Sequence, residues 1–244
     1  MAENGRVWQA NSLVQTYLTG VRGAIPHANE QIDVMLRLIR AACPNVETFL
    51  DLGCGDGILG RAILQQYPYA RGVFVDFSEP MLAAARELLG DEGETAVILA
   101  DYGEPDWTEK LPGNGQFDVV VSGYSIHHQP DERKREIYAE IYDLLRPGGI
   151  FINVEHVASI DPWVEGVFQD LFVDQLYAFQ QANGSTMSRD EVDRTFYSRP
   201  DKVANILAPV EEQCRWLQAI GYKHVDCYLK IFELAVFGGV KMGD

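Results

Sequence analysis

The sequence predicts an α/β protein with a doubly wound, mostly parallel, seven-stranded sheet of the Rossmann-like type. Strand-like and helix-like segments alternate from about residue 45 to residue 154. Two of the strand-like segments, Ala96–Ala100 and Phe117–Ser122, are too apolar to alternate, which is typical of parallel strands covered on both faces. A glycine-rich turn follows the first strand-like segment of the region. Because ligands of such sheets bind beyond the carboxyl ends of the strands, this turn is a candidate binding site.

The elements of the alternating region follow from local patterns. Pro80 and Ser78 fit the first turn and the N-cap of one helix, and the segment RPGG is expected to stop another after Leu145. The predicted elements in chain order are the strand Phe49–Leu52, the helix Ile58–Gln66, the strand Gly72–Asp76, the helix Pro80–Leu89, the buried strands Ala96–Ala100 and Phe117–Ser122, the helix Asp131–Leu145 and the strand Gly149–Val154.

The last third of the chain has a different pattern. A long amphipathic helix is expected at Asp161–Ala182, with an apolar face that includes Trp163, and a capping box at Ser188 opens another helix. After the helix 209–220, two strand-like runs at 222–230 and 232–241 predict a terminal antiparallel hairpin at the sheet edge. We interpret residues 1–244 as one domain, with an N-terminal helical cap at 1–44 and a helical lid insertion at 157–208.

Composition limits the classes of partner. The chain has 20 basic and 36 acidic residues, a formal charge of −16, which disfavours nucleic acid. Its one dense basic run, residues 133–135, is flanked by acids. The four cysteines have no metal-ligand spacing, so no metal site is expected. No signal peptide and no apolar run of membrane-spanning length is visible, so we expect a cytoplasmic protein that acts on a small molecule, without a membrane partner.

The stretch FLDLGCGDGILG, residues 49–60, raises the question of what lies on its turn. Residues 55–60 satisfy G-x-G-x-x-G, and Asp76 lies 21 residues beyond Gly55, as in dinucleotide-binding enzymes. A tight strand–helix turn with no ligand is the plain alternative. The wider pattern separates these interpretations, because Asp51 precedes the glycines and acids end the next two strands, at Asp76 and Asp101.

This ordering resembles the class I S-adenosylmethionine-dependent methyltransferases. The resemblance covers nearly all of residues 45–155, where LDLGCGDG, VFVDFSEPM, ILADY, FDVVVSGYSIHH and LLRPGGIFI occur in the family's order. It implies S-adenosylmethionine as the cofactor and S-adenosylhomocysteine as its product. In this interpretation the turn Gly53-Cys54-Gly55 closes on the methionine part of the cofactor, and Asp51 is within reach of its ammonium group.

The resemblance also assigns the nucleoside end of the cofactor. Asp76 would accept two hydrogen bonds from the ribose diol, a geometry for which a carboxylate is suited. Phe77 would pack on the adenine, and Asp101, with the Tyr102 backbone beside it, would accept from the adenine amine. Ser122, which ends the fourth strand, would line the floor of the site. Each of these side chains also has a plain structural alternative in capping or packing.

The candidate catalytic residues follow the fourth strand. Tyr124, His127 and His128 should face the methyl end of the cofactor, and a histidine there could act as a general base near neutral pH. Glu155 and His156, after the fifth strand, are further candidates. Paired histidines in such a loop also cap helices or fill space, and that alternative stays open.

A second resemblance lies outside this region. VRGAIPHANEQIDVMLRLI and AIGYKHVDCYLKIFELAVFGGVK are similar to a subset of these enzymes that includes carboxy-S-adenosylmethionine synthase. That resemblance implies a reaction with prephenate and an arginine for the added carboxylate, for which Arg199 is the candidate. Three functions therefore stand: a methyltransferase with a small, planar acceptor, a synthase of this kind, and a non-catalytic cofactor-binding protein. A homodimer through the hairpin edge is left open.

Overall fold

A seven-stranded sheet forms the centre of the computed structural model, which describes residues 8–90, 94–113, 115–199, 202 and 204–243. The strand order is β3-β2-β1-β4-β5-β7-β6. Strands β1 to β5 pair in parallel, and β7 is antiparallel to both β5 and β6. The predicted fold class and terminal hairpin are confirmed. The strands are β1 Thr48–Leu52, β2 Arg71–Asp76, β3 Thr95–Leu99, β4 Phe117–Gly123, β5 Leu145–His156, β6 Lys223–Ile231 and β7 Leu234–Val240.

Helices cover both faces of the sheet because successive strand residues point to opposite sides. In β1, Leu50 belongs to the core beneath α5 and α8, whereas Phe49 belongs to the core beneath α2, α3 and α4. The α-helices are α1 Asn11–Thr16, α2 Ala28–Ala42, α3 Ile58–Gln66, α4 Glu79–Leu89, α5 Asp131–Leu144, α6 Pro162–Ala182, α7 Arg189–Val192 and α8 Val210–Ile220. Within the described residues, no helix is long and apolar enough to cross a bilayer.

A third apolar cluster lies above the carboxyl ends of the strands. It joins Val21 and Ala24 of the N-terminal segment to Val173 and Leu176 of α6. The predicted cap and the predicted lid therefore pack against each other. Residues 1–7 of that cap and residues 200, 201 and 203 of that lid lie outside the described residues.

Local signals placed several helix starts correctly. The Ser78 hydroxyl accepts a hydrogen bond from the Met81 backbone N–H at the start of α4. The capping box at Ser188 is present with Glu191 as its partner. Asp161 caps α6 by accepting from the first backbone N–H groups of the helix. These caps satisfy amide groups that have no partner inside the helix.

Three local predictions were wrong. Strand β3 was expected to be buried, but it is a sheet edge and Leu99 is 53% exposed. Trp163 was placed on the buried face of its helix, yet it is 76% exposed, because α6 buries Phe168, Val173 and Leu176 instead. The helix before RPGG ends at Leu144, one residue before its predicted end, but the next strand starts at Leu145 instead of Gly149, because β5 includes this segment.

Candidate functional site

A cavity opens at the carboxyl ends of β1, β2, β4 and β5, where the sheet topology predicts a ligand site. Its floor is formed by the glycine-rich turn after β1 and by the ends of these strands. Its roof comes from the N-terminal segment, from α6 and from the segment that follows residue 195. The predicted residues Tyr124, His127 and His128 line the same cavity as Asp51 and Asp76.

The glycine-rich turn is tied to the neighbouring strand. The backbone N–H groups of Gly53 and Cys54 both donate to the Val75 carbonyl, at 2.7 and 3.0 Å. At Gly53, φ is +66° and a Cβ would lie 1.9 Å from the Ser125 hydroxyl oxygen, so glycine is required there by packing. At Gly55, φ is +55° but the nearest atom to a Cβ would be 3.9 Å away. A Cβ at Gly55 would therefore make an ordinary contact with the Met81 sulfur and no clash.

Two buried carboxyl groups flank this turn. Asp51 accepts a hydrogen bond from the Gly60 N–H at 2.8 Å. Asp76 accepts from the Ser78 N–H with one oxygen and from the Gly55 N–H with the other, at 2.8 and 2.9 Å. The Phe77 backbone N–H also hydrogen-bonds this carboxyl group, and because a carboxylate has about four lone-pair sites, some acceptor capacity remains.

The burial of these acids changes their titration. Burial raises the pKa of Asp51 to about 7 and that of Asp76 to about 6, against hydrogen bonds from backbone N–H groups that favour ionisation. Opposite charge brought into the cavity would restore the ionised forms. This part of the floor is therefore complementary to a cationic ligand.

A third acid of the turn was not predicted from the sequence. Asp56 lines the cavity and pairs with Arg22 of the N-terminal segment at 3.0 Å. The Ser78 hydroxyl donates to the Trp8 carbonyl at 2.5 Å. The N-terminal segment is thus held over the glycine turn by polar contacts. Their sequence separations of 34 and 70 residues explain why no local signal reveals them.

The predicted cofactor-binding residues divide into two groups. Cys54 and Phe77 are among the described lining residues, whereas Asp101, Tyr102 and Ser122 are not. Tyr102 is buried, with its hydroxyl 2.6 Å from the Ser125 hydroxyl. Ser122 donates to the Leu52 carbonyl at 2.7 Å, and Asp101 accepts from the Gly103 N–H at 2.9 Å. These three hold the backbone around the site, and their contact with a cofactor stays a prediction.

His127 forms a buried pair with Glu155. Its Nδ1 lies 2.6 Å from one Glu155 oxygen, and its backbone N–H donates to the other at 3.1 Å. Burial lowers the pKa of His127 well below its usual range and raises the pKa of Glu155 to about 7. In a neutral imidazole whose Nδ1–H donates to Glu155, Nε2 carries the lone pair that can accept a proton. The pair therefore has the arrangement of an oriented general base.

Tyr124 and His128 are held beside this pair. The Tyr124 hydroxyl donates to the Gln31 side-chain oxygen at 2.5 Å, and burial raises its pKa, so this hydroxyl stays protonated at neutral pH. The His128 ring lies 4.0 Å from the His127 ring between centroids, and its Nδ1 is 3.3 Å from the Ala204 carbonyl oxygen. Tyr124 has φ +50°, which turns the chain sharply after β4.

A second histidine–glutamate pair joins His156, which the sequence predicted as a candidate, to Glu233, which it did not. His156 lines the cavity, and its Nε2 is 2.7 Å from Glu233, which is buried in the link between β6 and β7. The sequence indicates His156 by its place after the fifth strand. Glu233 appears in the sequence only as a single acid between two apolar strands, and this pattern does not show which residue it pairs with.

The roof is aromatic. Phe168 and Phe172 of α6 have ring centroids 5.7 Å apart, and Phe172 lies 5.5 Å from Tyr197. Phe168 also lies 5.6 Å from the His156 ring. All four line the cavity, as Phe196 does. Because the His156 ring also lies 5.9 Å from the His127 ring, this aromatic surface continues to His127.

Comparisons with known proteins agree with this geometry. Residues 50–151 match the family model described as a methyltransferase domain. The carboxy-S-adenosyl-L-methionine synthase of Aeromonas salmonicida is 28% identical over 199 residues, which cover 80% of this chain and 74% of that protein. The demethylmenaquinone methyltransferase of Leptospira interrogans is 29% identical over 118 residues, which cover 48% of this chain and 46% of that protein.

A solved structure shares the fold. PigF with S-adenosylhomocysteine superposes with a TM-score of 0.60 at 19% identity, covering 98% of this chain and 62% of that chain. This chain thus spans less than two thirds of that longer protein, and the likeness concerns the fold. The family match over residues 50–151 and the relatives, together with the fold and the glycine turn with its two carboxyl groups, support a class I S-adenosylmethionine-dependent methyltransferase.

Proposed function

We propose that the protein methylates a small aromatic acceptor that loses a proton in the reaction. The observation that carries this proposal is the cavity itself. It joins the glycine turn and its carboxyl groups, Asp51 and Asp76, to the buried His127–Glu155 pair. A cofactor half and a proton-accepting half thus share one enclosed space.

The residues of the floor fit the cofactor. The glycine turn at Gly55 and the acids Asp51 and Asp76, which all line the cavity, suit a ligand with an ammonium group, a sulfonium and a ribose diol. When bound, S-adenosylmethionine supplies the methyl group from its sulfonium. Asp76 would bind the ribose, Asp51 would face the ammonium group, and Phe77 would pack on the adenine. Asp101, with the Tyr102 backbone, would bind the adenine amine, and Ser122 would support the floor.

His127 is proposed to take the proton that the acceptor loses. Glu155 holds its Nδ1–H and fixes the ring, so Nε2 is the proton acceptor. Asn205 also hydrogen-bonds this ring, and we propose that an acceptor hydroxyl takes its place. Tyr124 and His128 would position the acceptor rather than exchange protons with it.

The cap and the lid would align the reactants and exclude water. Transfer of a methyl group from a sulfonium needs in-line alignment more than acid–base help. The packing of Val21 and Ala24 against α6 would hold the two segments closed together. We propose that residues 1–44 and 157–208 act as this cap and this lid.

The test is release of S-adenosylhomocysteine in the presence of a panel of phenols. We expect turnover with at least one phenol, and His127→Asn should reduce it by about 10² to 10⁴-fold, the usual contribution of a general base. His224→Asn is the matched control, since His224 is an exposed histidine of β6. Cofactor binding without turnover on any acceptor would favour the non-catalytic alternative. Unchanged turnover in His127→Asn would remove the base from the mechanism.

A second candidate function is supported by one observation. Arg199, which the resemblance to carboxy-S-adenosylmethionine synthase singles out, lines the cavity. A guanidinium there suits a carboxylate on the cofactor. Mass spectrometry of the bound cofactor after incubation with S-adenosylmethionine and prephenate tests this candidate. A cofactor heavier by one carboxylate would support it, and unmodified cofactor would count against it.

A further inference from the structure

The charges that line the cavity are separated by location. Within the described residues, the carboxylates that line the cavity belong to β1, the glycine turn and β2; they are Asp51, Asp56 and Asp76. Arg199 and Lys202 lie on the other side, in the roof segment after Tyr197. The remaining lining cation in the described chain, Arg22, is paired with Asp56. Among the described lining residues, the charged side chains of the floor are therefore acidic and those of the roof basic, in a protein with a formal charge of −16.

Lys202 is held in a defined position in this roof. Its Nζ lies 3.2 Å from the centroid of the Tyr197 ring, and the side chain is half-buried. Burial lowers the pKa of Lys202 to about 8 against the charges of Glu233, Asp193 and Glu165, which raise it, and the Arg199 charge makes a smaller contribution that lowers it. The ammonium thus stays mostly charged at neutral pH. Two neighbouring cations on one cavity wall are stabilised when an anion lies between them.

The walls next to this cation are flat and apolar. Tyr197 contacts Phe172, which contacts Phe168, so an aromatic surface runs from Lys202 towards the His156 ring. A ligand that fits both features is planar at its centre and negative at one end. The acidic floor would repel such a ligand and retain the cationic cofactor, which assigns the two partners to opposite sides.

We propose that the methyl acceptor is an aromatic carboxylate, and that Lys202 is the specificity-determining residue that binds its carboxylate. This inference rests on the proposed function, because it specifies the acceptor of that reaction. The ring would lie along Phe172 and Phe168, and the hydroxyl to be methylated would point to His127. Lys202 touches the acceptor and takes no part in the proton transfer.

The experiment is calorimetry on protein saturated with S-adenosylhomocysteine. The probes are two matched pairs, 4-hydroxybenzoate with 4-hydroxybenzamide, and 1-hydroxy-2-naphthoate with its amide. We expect the carboxylate of at least one pair to bind about tenfold more tightly than the amide, the effect of one charge-assisted hydrogen bond. Lys202→Met should abolish this preference, and Lys202→Arg should keep it. Lys230→Met, which removes an exposed ammonium of β6 paired with Glu211, should change nothing.

Several results would overturn the inference. It would be overturned if the carboxylate and the amide bind equally, or if none of the four compounds binds. It would also be overturned if Lys202→Met keeps the preference for the carboxylate. The affinity for S-adenosylhomocysteine itself reports on the floor of the site. If S-adenosylhomocysteine binds and neutral phenols are methylated but aromatic carboxylates are not, the proposed acceptor class is wrong and the proposed methyltransferase function stands. If the cofactor does not bind, the proposed function fails first.

Discussion

Replacing Asp76 by asparagine tests the floor of the site most sharply. In the folded chain its two oxygens accept from the N–H groups of Ser78 and Gly55, at 2.8 and 2.9 Å. The side-chain amide of asparagine has one acceptor oxygen and one NH₂ group. One of the two backbone N–H groups therefore loses its acceptor, and one proposed ribose hydrogen bond meets a donor instead.

The magnitude follows from these bonds. Each hydrogen bond from the ribose contributes about 0.5–1.5 kcal/mol net, so the loss of one weakens cofactor binding by about 0.5–1.5 kcal/mol. That range corresponds to a dissociation constant roughly 2- to 12-fold higher. The backbone N–H left without its acceptor also lowers the free energy of unfolding, by about 1–3 kcal/mol.

Asp118→Asn is the matched control. Asp118 also accepts from two backbone N–H groups, those of Glu47 and Thr48 at 2.8 and 2.9 Å, but at the opposite end of the sheet. Calorimetry with S-adenosylhomocysteine and urea unfolding should both be measured on the two variants. We expect both variants to lose stability and only Asp76→Asn to lose affinity. A folded Asp76→Asn with unchanged affinity, or equal weakening in Asp118→Asn, would refute the placement of the ribose.

Three further predictions address the same site. The free energy of unfolding of the ligand-free protein should decrease as pH rises from about 4 to 7. The folded pKa values of Asp51 and Asp76, about 7 and 6, lie above the ordinary 3.8, so the folded chain binds more protons than the unfolded chain in this range. Urea unfolding across pH checks this, and a free energy of unfolding that rises over that window would contradict it. Gly53→Ala should lower the free energy of unfolding by about 1–3 kcal/mol more than Gly90→Ala does. Both glycines have positive φ, but only at Gly53 would a Cβ clash, at 1.9 Å, with a serine hydroxyl. Equal losses of the two variants in urea unfolding would show that the clash relaxes. Glu155→Gln should lower kcat by about tenfold or more and keep the affinity for S-adenosylhomocysteine, because the His127 imidazole loses the carboxylate that orients it. Unchanged steady-state turnover of a phenol would exclude this role of Glu155.

The sheet could be predicted because its strands carry strong local signals. Continuous apolar runs such as Phe117–Ser122 and a glycine turn directly after β1 fix the parallel arrangement and its ligand edge. Helix starts such as Ser78 are also local, since a cap and its partner lie within three residues. The exposure of β3 was missed because an apolar run does not show whether a strand lies at the centre or the edge of a sheet.

The site could be predicted only in part because its contacts are distant in sequence. The Asp76 carboxyl and the Gly55 N–H that it binds are 21 residues apart, and a motif marks both. His127 and Glu155 are 28 residues apart, and each was a separate candidate until the fold joined them. The basic roof at Lys202 has no motif, and its meaning depends on which side chains the lid places across the cavity.

The central claim is that the turn after β1 and the carboxyl group of Asp76 bind the cofactor. A crystal structure of the protein with S-adenosylhomocysteine is the most direct test. We expect the ligand to lie over Gly55, with both ribose hydroxyls within hydrogen-bond distance of the Asp76 carboxylate. A ligand that binds elsewhere, or a ribose that contacts neither Asp76 oxygen, would contradict the account.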